Sequence, residues 1–241
     1  MTFDEVVRQR SSKRDFSDRD VPDELIESLL ATALTAPSSS NTQPYRVAIA
    51  KGATRNAIRE RLTQKFIKAN RVKRLSLPKK IWHGVTGNIL PDGDFKNDTN
   101  YPKKLKQRAV ECGMGLYETL GIARDDYAAR DRQMQRNFEF FDAPVALFIF
   151  VHGERGVYGA LDTGIFLQTL MLAATNHGLG SCAQAALAVW ASPVRHYFNI
   201  DKDYKLICGL SLGYPTEHEV NRFQPKKCSV GEACFQPKLC I

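Results

Sequence analysis

The stretch Ala36-Pro37-Ser38-Ser39-Ser40-Asn41-Thr42-Gln43-Pro44 carries much of the fold information in this chain. An apolar helical pattern ends at Pro37 and a predicted strand begins at Tyr45, and a polar loop between two such elements is a common place for ligand contacts. An earlier stretch, Arg10-Ser11-Ser12-Lys13-Arg14, concentrates fixed positive charge and hydrogen-bond donors, which suits a phosphate or an electron-rich ring edge. Together the two stretches predict a cofactor that is phosphorylated and heteroaromatic.

The composition is that of a globular protein, with 241 residues, 43% hydrophobic residues, 25% charged residues and a net charge of +8. A chain of this length can bury a full core, so we expect one domain over residues 1–241. The basic residues are scattered, and no recognition-helix, zinc-finger or ribonucleoprotein motif accompanies them. We therefore predict no nucleic-acid partner, because anionic cofactors or substrates account for a basic surface at least as well.

The sequence also bears on membranes, metals and location. The N-terminus is polar and acidic rather than a secretory signal, and the longest apolar run, Ala143 to Val151, is too short to span a bilayer. Six cysteines are spread without a Cys-x-x-Cys pair, and no histidine has metal-finger spacing. We predict a cytoplasmic protein with no membrane partner and no metal site.

Helical patterns dominate the chain, and long helical connections separate the strands. Helices are predicted at about 3–10, 22–36, 54–68, 103–122, 128–138, 157–176 and 189–198. Strands are predicted at 45–50, 145–151 and 206–212. This order favours an α+β or α/β sandwich in which helices cover a small sheet. No Gly-x-Gly-x-x-Gly follows a strand, so a dinucleotide-binding Rossmann site is not expected.

Three segments stand apart from this pattern. Residues 72–102 are interrupted by proline and glycine, which predicts a long excursion or lid. Residues 223–241 hold a repeat, since Phe223-Gln224-Pro225-Lys226-Lys227-Cys228 recurs as Phe235-Gln236-Pro237-Lys238-Leu239-Cys240, and we expect an arm that wraps the surface or a partner. Residues 157–176 are apolar on nearly every side, which predicts a central helix or a subunit interface.

In their order along the chain these motifs resemble the nitroreductase family of FMN-dependent oxidoreductases. Besides the two opening stretches, the motifs that carry the resemblance are Asp162-Thr163-Gly164, Gly178-Leu179-Gly180-Ser181-Cys182, Leu212-Gly213-Tyr214-Pro215 and Arg222. The stretch from Arg136 to Pro144 is similar to the nitrobenzoate-reductase subgroup. The resemblance spans about residues 3–223. It implies a three-layer α/β/α sandwich of the α+β class, with a small, mostly antiparallel sheet, in an intertwined homodimer.

The resemblance assigns the first stretch to the FMN phosphate and ring edge. It implies that Arg10 and Arg222 hold the phosphate, with Ser12 nearby. Arg14 would face the pyrimidine edge of the isoalloxazine, with Ser11 contributing polar contacts. A guanidinium beside this edge stabilises the negative charge of the reduced ring, so it would favour hydride acceptance.

The resemblance assigns the second stretch to the other subunit, because family members place FMN at a homodimer interface. The residues that would reach the partner's flavin or support that loop are Pro37, Ser38, Ser39, Asn41 and Gln43. The residues that would line the ring, with a backbone N–H donating to flavin N5, are Ala183, Gln184, Ala185 and Ala186. Gly213 would let the backbone approach the phosphoribityl chain closely.

The implied activity is hydride transfer from NAD(P)H to FMN and then to an electron-poor acceptor, such as a nitroaromatic or a quinone, in a ping-pong cycle. No side chain is expected to act as a nucleophile, because the cofactor supplies the chemistry. The same scaffold also supports flavin-dependent dehydrogenation and dehalogenation. A non-catalytic flavin-binding protein is a further alternative. The residues themselves leave these alternatives open, together with the physiological acceptor.

Overall fold

The structure of the chain is a computed structural model that describes residues 1–73, 75, 90–96 and 100–235. The α-helices in this part are α1 (Phe3–Gln9), α2 (Asp23–Ala33), α3 (Gly52–Lys73), α4 (Lys103–Thr119), α5 (Tyr127–Gln135), α6 (Gly156–Asn176), α7 (Ser192–Arg195) and α8 (Val230–Ala233). The strands are β1 (Tyr45–Ala50), β2 (Val145–His152), β3 (Gly180–Gln184) and β4 (Tyr204–Gly213).

The four strands form one sheet in the order β1-β2-β4-β3, and every neighbouring pair is antiparallel. Strand β2 is buried on both faces from Val145 to Val151, which explains its continuous apolar sequence. Strand β3 lies at one edge and strand β1 at the other. The sequence analysis missed β3, because its Gly-Ser-Cys-Ala-Gln sequence lacks the β-branched and aromatic residues that mark strands.

Helices cover both faces of the sheet. On one face, α2 and α6 contribute Leu29, Phe166 and Leu170 to a core with the inward residues of β2 and β4. On the other face, α3 contributes Ile58 and Leu62 to a second core. The predicted α+β architecture with a helix layer on each side of an antiparallel sheet is therefore confirmed.

Helix α6 is the central helix of the first core. Its Phe166–Leu170–Ala174 side is buried, whereas Val157 and Tyr158 near its start are exposed. The stretch Gly153–Asn176 is also the one described helical stretch that is long and apolar enough to cross a membrane by length and composition alone. Its contacts with the sheet are those of a core helix in a globular domain.

Several predicted boundaries were wrong at their ends. Helix α3 extends to Lys73, so Val72 belongs to this helix rather than to the predicted excursion. Of the helix predicted at 189–198 only the short α7, Ser192–Arg195, is helical, and a separate 3₁₀ turn, Ala185–Ala188, precedes it. Residues 74, 76–89 and 97–99 of the predicted lid lie outside the described residues, as does the second copy of the C-terminal repeat after Phe235.

Candidate functional site

The Arg10–Arg14 stretch runs along the outer edge of β3. A capping box between Thr2 and Glu5 begins α1, and the helix ends where the N–H of Arg10 donates to the carbonyl oxygen of Val6. Beyond this point Ser12 pairs with Ser181 in a parallel bridge, and the N–H of Lys13 donates to the Ser181 oxygen at 3.0 Å. The first stretch is thus attached to the edge strand.

Alternate residues of this stretch face opposite sides, as expected for extended backbone. Burial raises the pKa of the Cys182 thiol, and the charges of Arg14 and Arg10 and a hydrogen bond with Ser12 oppose that rise. These three side chains therefore lie on the same side of the segment as Cys182.

Ser11 and Lys13 face the other side, where they line a cavity of about 360 Å³ beneath Gly178 and Gly180. The Ser11 hydroxyl is buried and has no hydrogen-bond partner among the described residues. The structure thus separates Ser11 from the side on which Arg10 and Arg14 lie. Its polar contact with the ring edge stays a prediction.

Arg222 lies close to the Arg14 segment, because Asn221 binds the backbone of Arg14 and Asp15. The Arg222 side chain is 75% exposed, and the carboxylate of Glu217 lies 4.0 Å away. An exposed guanidinium with so distant a counter-ion is available to an anion. The structure therefore brings three of the predicted cofactor-binding arginines into one region.

The Arg136–Pro144 stretch forms ion pairs that hold the backbone next to Arg14 in place. Arg136 forms an ion pair with Asp15 at 2.8 Å and another with Asp142. Both partners of the Asp15 pair are about three-quarters buried, which strengthens their attraction relative to a surface pair. The backbone next to Arg14 is consequently fixed by both a buried amide and an ion pair.

The residues predicted to line the ring, Ala183 to Ala186, follow Ser181, the residue of β3 that pairs with the Arg10–Arg14 stretch. Ala183 and Ala185 expose their small side chains, whereas Gln184 is buried. The Gln184 amide donates to the Asn137 carbonyl oxygen at 2.9 Å and accepts from the Ser211 hydroxyl at 2.5 Å. The Gln184 side chain is therefore committed to the core, and its backbone is the part available to a ligand.

The Ala185–Ala188 turn is clamped from two sides. Below it, Leu187 fills the space over Gly209, where an added Cβ would lie 2.9 Å from the Leu187 Cβ. Outside it, Gly93 packs so closely on the Ala188 carbonyl oxygen that an added Cβ would overlap it. Two glycines thus allow the close packing that fixes this turn.

Residues on either side of Gly93 hold it there. Asp92 accepts hydrogen bonds from the Ser192 N–H at 3.1 Å, from the Ser192 hydroxyl at 2.6 Å and from Lys65 at 3.0 Å. These bonds lower the pKa of the Asp92 carboxyl, although burial works against them as the largest single effect. Asp94 accepts from Arg195 and from the Leu206 N–H at 2.8 and 2.7 Å. Residues 92–94, which belong to the predicted excursion, are therefore docked on the body of the protein.

The Pro37–Gln43 loop has a preformed and strained backbone. Ser40, Asn41 and Gln43 have φ angles of 51°, 55° and 44°, which non-glycine residues seldom adopt. The Gln43 N–H donates to the Ser38 hydroxyl at 3.0 Å. These contacts hold the loop in one conformation, with Ser39 exposed.

Asp162 anchors this loop to α6, and the sequence analysis assigned it no role. One carboxylate oxygen accepts the Ser39 N–H at 3.1 Å, and the residue is 3% exposed. The other oxygen is buried without a partner among the described residues. Its position in the Asp162-Thr163-Gly164 motif was the available signal.

The loop and the arginine region lie at opposite edges of the sheet. The loop precedes β1, whereas the Arg10–Arg14 stretch lies outside β3, four strand steps from β1. Four steps of about 4.8 Å place the loop and the stretch about 19 Å apart across the sheet. One chain therefore does not bring the two predicted halves of the site together.

Gly213 has a packing reason for lacking a side chain. An added Cβ would lie 2.6 Å from Cδ of Pro144 and 3.3 Å from Cδ1 of Phe16. The approach of a phosphoribityl chain at Gly213 stays a prediction. In the part of the chain that the structure describes, no group of three or more His, Cys, Asp or Glu residues could hold a metal ion.

A sequence profile described as the nitroreductase family matches residues 7–214. This chain belongs to the nitroreductase family. Its similarity to a 4-nitrobenzoate reductase of Pseudomonas putida is 32% identity over 224 residues, which covers 90% of this chain and 86% of the relative. Both the family and the nitrobenzoate-reductase resemblance predicted from the motifs are therefore confirmed.

Two solved structures of nitroreductases are also similar. The FMN- and NADPH-dependent nitroreductase NfnB from Sphigopyxis sp. strain HMH has a TM-score of 0.85 and 29% identity, covering 99% of this chain and all of the other. The FMN-dependent nitroreductase NfnB from Mycobacterium smegmatis, in complex with NADPH, has a TM-score of 0.80 and 30% identity, covering 98% and 97%. The similarity to nitroreductase structures thus extends over nearly the full length of the chain.

The side chains around this family site fit FMN. Arg10, Arg14 and the exposed Arg222 offer guanidinium groups suited to a phosphate and to an electron-rich ring edge. The exposed methyl groups of Ala183 and Ala185 leave room for a flat ring beside β3. When bound, FMN supplies two-electron hydride chemistry that no side chain here could supply.

Proposed function

We propose that this protein binds FMN at a homodimer interface and transfers hydride equivalents from NAD(P)H to electron-poor aromatic acceptors, such as nitroaromatics or quinones, in a ping-pong cycle. The protein is an oxidoreductase of the nitroreductase family that depends on FMN and NAD(P)H. The observation that carries the proposal is the placement of Arg10, Ser12 and Arg14 on one side of an extended segment, beside an edge strand that continues into exposed alanines.

In this proposal the chain binds and orients, and FMN supplies the redox chemistry. Arg10 and Arg222 hold the phosphate, and Ser12 lies beside it. Arg14 faces the electron-rich edge of the ring and stabilises its charge after reduction. The clamped Ala185–Ala188 turn would give the ring a rigid support, and a backbone N–H of this segment would donate to N5.

A second copy of the chain is the proposed source of the missing half of each site. The Pro37–Gln43 loop is preformed, partly exposed and about 19 Å across the sheet from its own arginine region, so it suits the partner's flavin. Helices α4 and α5 bury none of their residues within one chain. Exposed Val157 and Tyr158 on α6 add apolar surface that a partner would cover.

We also propose a cytoplasmic location. The five described cysteines, Cys112, Cys182, Cys208, Cys228 and Cys234, are free thiols. Free thiols in this number fit a reducing compartment better than an oxidising one.

A visible absorption spectrum of the purified protein tests the proposal. We expect bound flavin, loss of its absorption when NADPH or NADH is added under anaerobic conditions, and its recovery when 4-nitrobenzoate or benzoquinone is added. The Arg10→Ala variant is expected to lose FMN, whereas Arg8→Ala, at an exposed position in the last turn of α1, is the matched control. Bound flavin that neither NADPH nor NADH reduces would contradict the reductase and support a non-catalytic flavin protein. Reoxidation by a halogenated aromatic alone would support a dehalogenase.

A further inference from the structure

Asn221 uses its whole side-chain amide to join two distant parts of the chain. It is 5% exposed, and it lies just before Arg222 at the end of the Glu219–Arg222 turn. Its Oδ1 accepts the N–H of Arg14 at 2.7 Å and the N–H of Asp15 at 3.2 Å. Its Nδ2 donates to the carbonyl oxygens of Asp15 at 2.7 Å and of Thr216 at 3.0 Å.

The amide is therefore fully satisfied, since both amide hydrogens and both oxygen lone pairs are used. The backbone oxygen of Asn221 also accepts a hydrogen bond from the Lys13 ammonium at 2.9 Å. Asparagine suits this position because it offers two donors and two acceptors on a short, uncharged side chain. Aspartate would place an oxygen against two carbonyl oxygens, and alanine would leave two buried N–H groups without an acceptor.

The residues joined in this way are the ones that the proposed function assigns to opposite ends of FMN. Arg14 would contact the ring edge, and Arg222 would contact the phosphate. Asn221 binds the Arg14 backbone directly and is covalently next to Arg222. It therefore sets the spacing between the ring-edge guanidinium and the phosphate guanidinium before any ligand arrives.

We propose that Asn221 is a positioning residue for FMN, which makes the protein favour the phosphorylated cofactor over riboflavin. The inference rests on the proposed function, because it takes the roles of Arg14 and Arg222 from it. Asn221 itself need not touch the cofactor. Its effect is exerted through the two arginines, whose relative placement matters only for a ligand that carries both a ring and a phosphate.

The test compares the binding of FMN and riboflavin to apoprotein by fluorescence quenching. The variants are Asn221→Ala and Asn221→Asp, and Asn199→Ala replaces an exposed asparagine as the control. We expect Asn221→Ala to weaken FMN binding at least tenfold and riboflavin binding much less, so that the ratio of the two affinities falls. We expect the same direction for Asn221→Asp and no change in the ratio for the control. Equal losses for both ligands, or no loss, in a folded variant would overturn the inference.

Hydrogen exchange in the unchanged apoprotein gives a second measurement that does not depend on a variant folding. The N–H groups of Arg14 and Asp15 should exchange slowly before FMN is added, because Asn221 already binds them. Fast exchange that slows only with FMN would overturn the preformed spacing. If the unchanged protein binds neither flavin, the proposed function fails, and the inference fails with it. If it binds FMN and the Asn221 variants keep the affinity ratio, the inference alone fails.

Discussion

Replacing Gly93 by alanine should loosen the turn that supports the proposed flavin ring. An added Cβ would overlap the Ala188 carbonyl oxygen, and it would lie 3.2 Å from the Val189 oxygen and 3.3 Å from the Ala188 carbonyl carbon. All three atoms belong to the backbone, so no side-chain rotation relieves the overlap. The segment or the turn must shift, and overpacking of this kind costs about 1–3 kcal/mol.

For a chain of this size, about 2 kcal/mol corresponds to a fall in melting temperature of about 4–8 °C. The assay is thermal unfolding of the apoprotein followed by circular dichroism, with FMN affinity measured on the same preparations. FMN affinity should also fall, because the Ala185–Ala188 turn moves with the clash. Gly231→Ala is the control, since no atom lies within 4 Å of its added Cβ. An unchanged melting temperature and FMN affinity for Gly93→Ala would refute the clamp.

Three further predictions follow from the described contacts. Asp92→Asn should lower the free energy of unfolding at pH 7, because a carboxyl group with a lowered pKa stabilises the fold while it is ionised. The difference in free energy of unfolding between this variant and the unchanged protein should shrink below about pH 4, where the carboxyl group becomes protonated. Urea unfolding at several pH values measures both effects. Exposed Cys228 should react quickly with a disulfide reagent at pH 8, whereas Cys182, which is buried and has a raised pKa, should react only after unfolding. Equal reaction rates for the two thiols would contradict the burial of Cys182. Asp162→Ala should lower the free energy of unfolding by about 0.5–1.5 kcal/mol, because the Ser39 N–H loses its part-buried acceptor; an unchanged urea midpoint would contradict that anchor.

The helices and central strands could be predicted because their sequences carry a local period. The apolar spacing of α2 and the continuous apolar run of β2 each contain their own signal. Strand β3 carries none, since its small residues form a strand only because β4 and the Arg10–Arg14 stretch pair with it. The pairing of β3 with distant segments makes it a strand, and such long-range pairing cannot be seen in a short stretch of sequence.

The candidate site likewise has a part that could be predicted from the sequence and a part that could not. Its arginines and its amide-rich loop could be found from residue type and order, because charge and hydrogen-bonding groups are properties of single residues. Asn221 could not be found, because a lone asparagine in a polar loop is typical of a turn. Its role depends on contacts with Arg14 and Asp15, more than 200 positions away in the sequence. The orientation of Ser11 away from Arg10 likewise depends on how the extended segment meets β3.

The midpoint potential of bound FMN tests the central claim most directly. A guanidinium about 4 Å from a unit negative charge, at an effective dielectric constant near 20, contributes about 4 kcal/mol, and exposure to solvent reduces this. Since about 30 mV corresponds to 1.4 kcal/mol for two electrons, Arg14→Ala should lower the potential by about 30–90 mV, whereas Arg14→Lys should keep most of it. An Arg14→Ala protein that holds FMN at an unchanged potential would contradict the account.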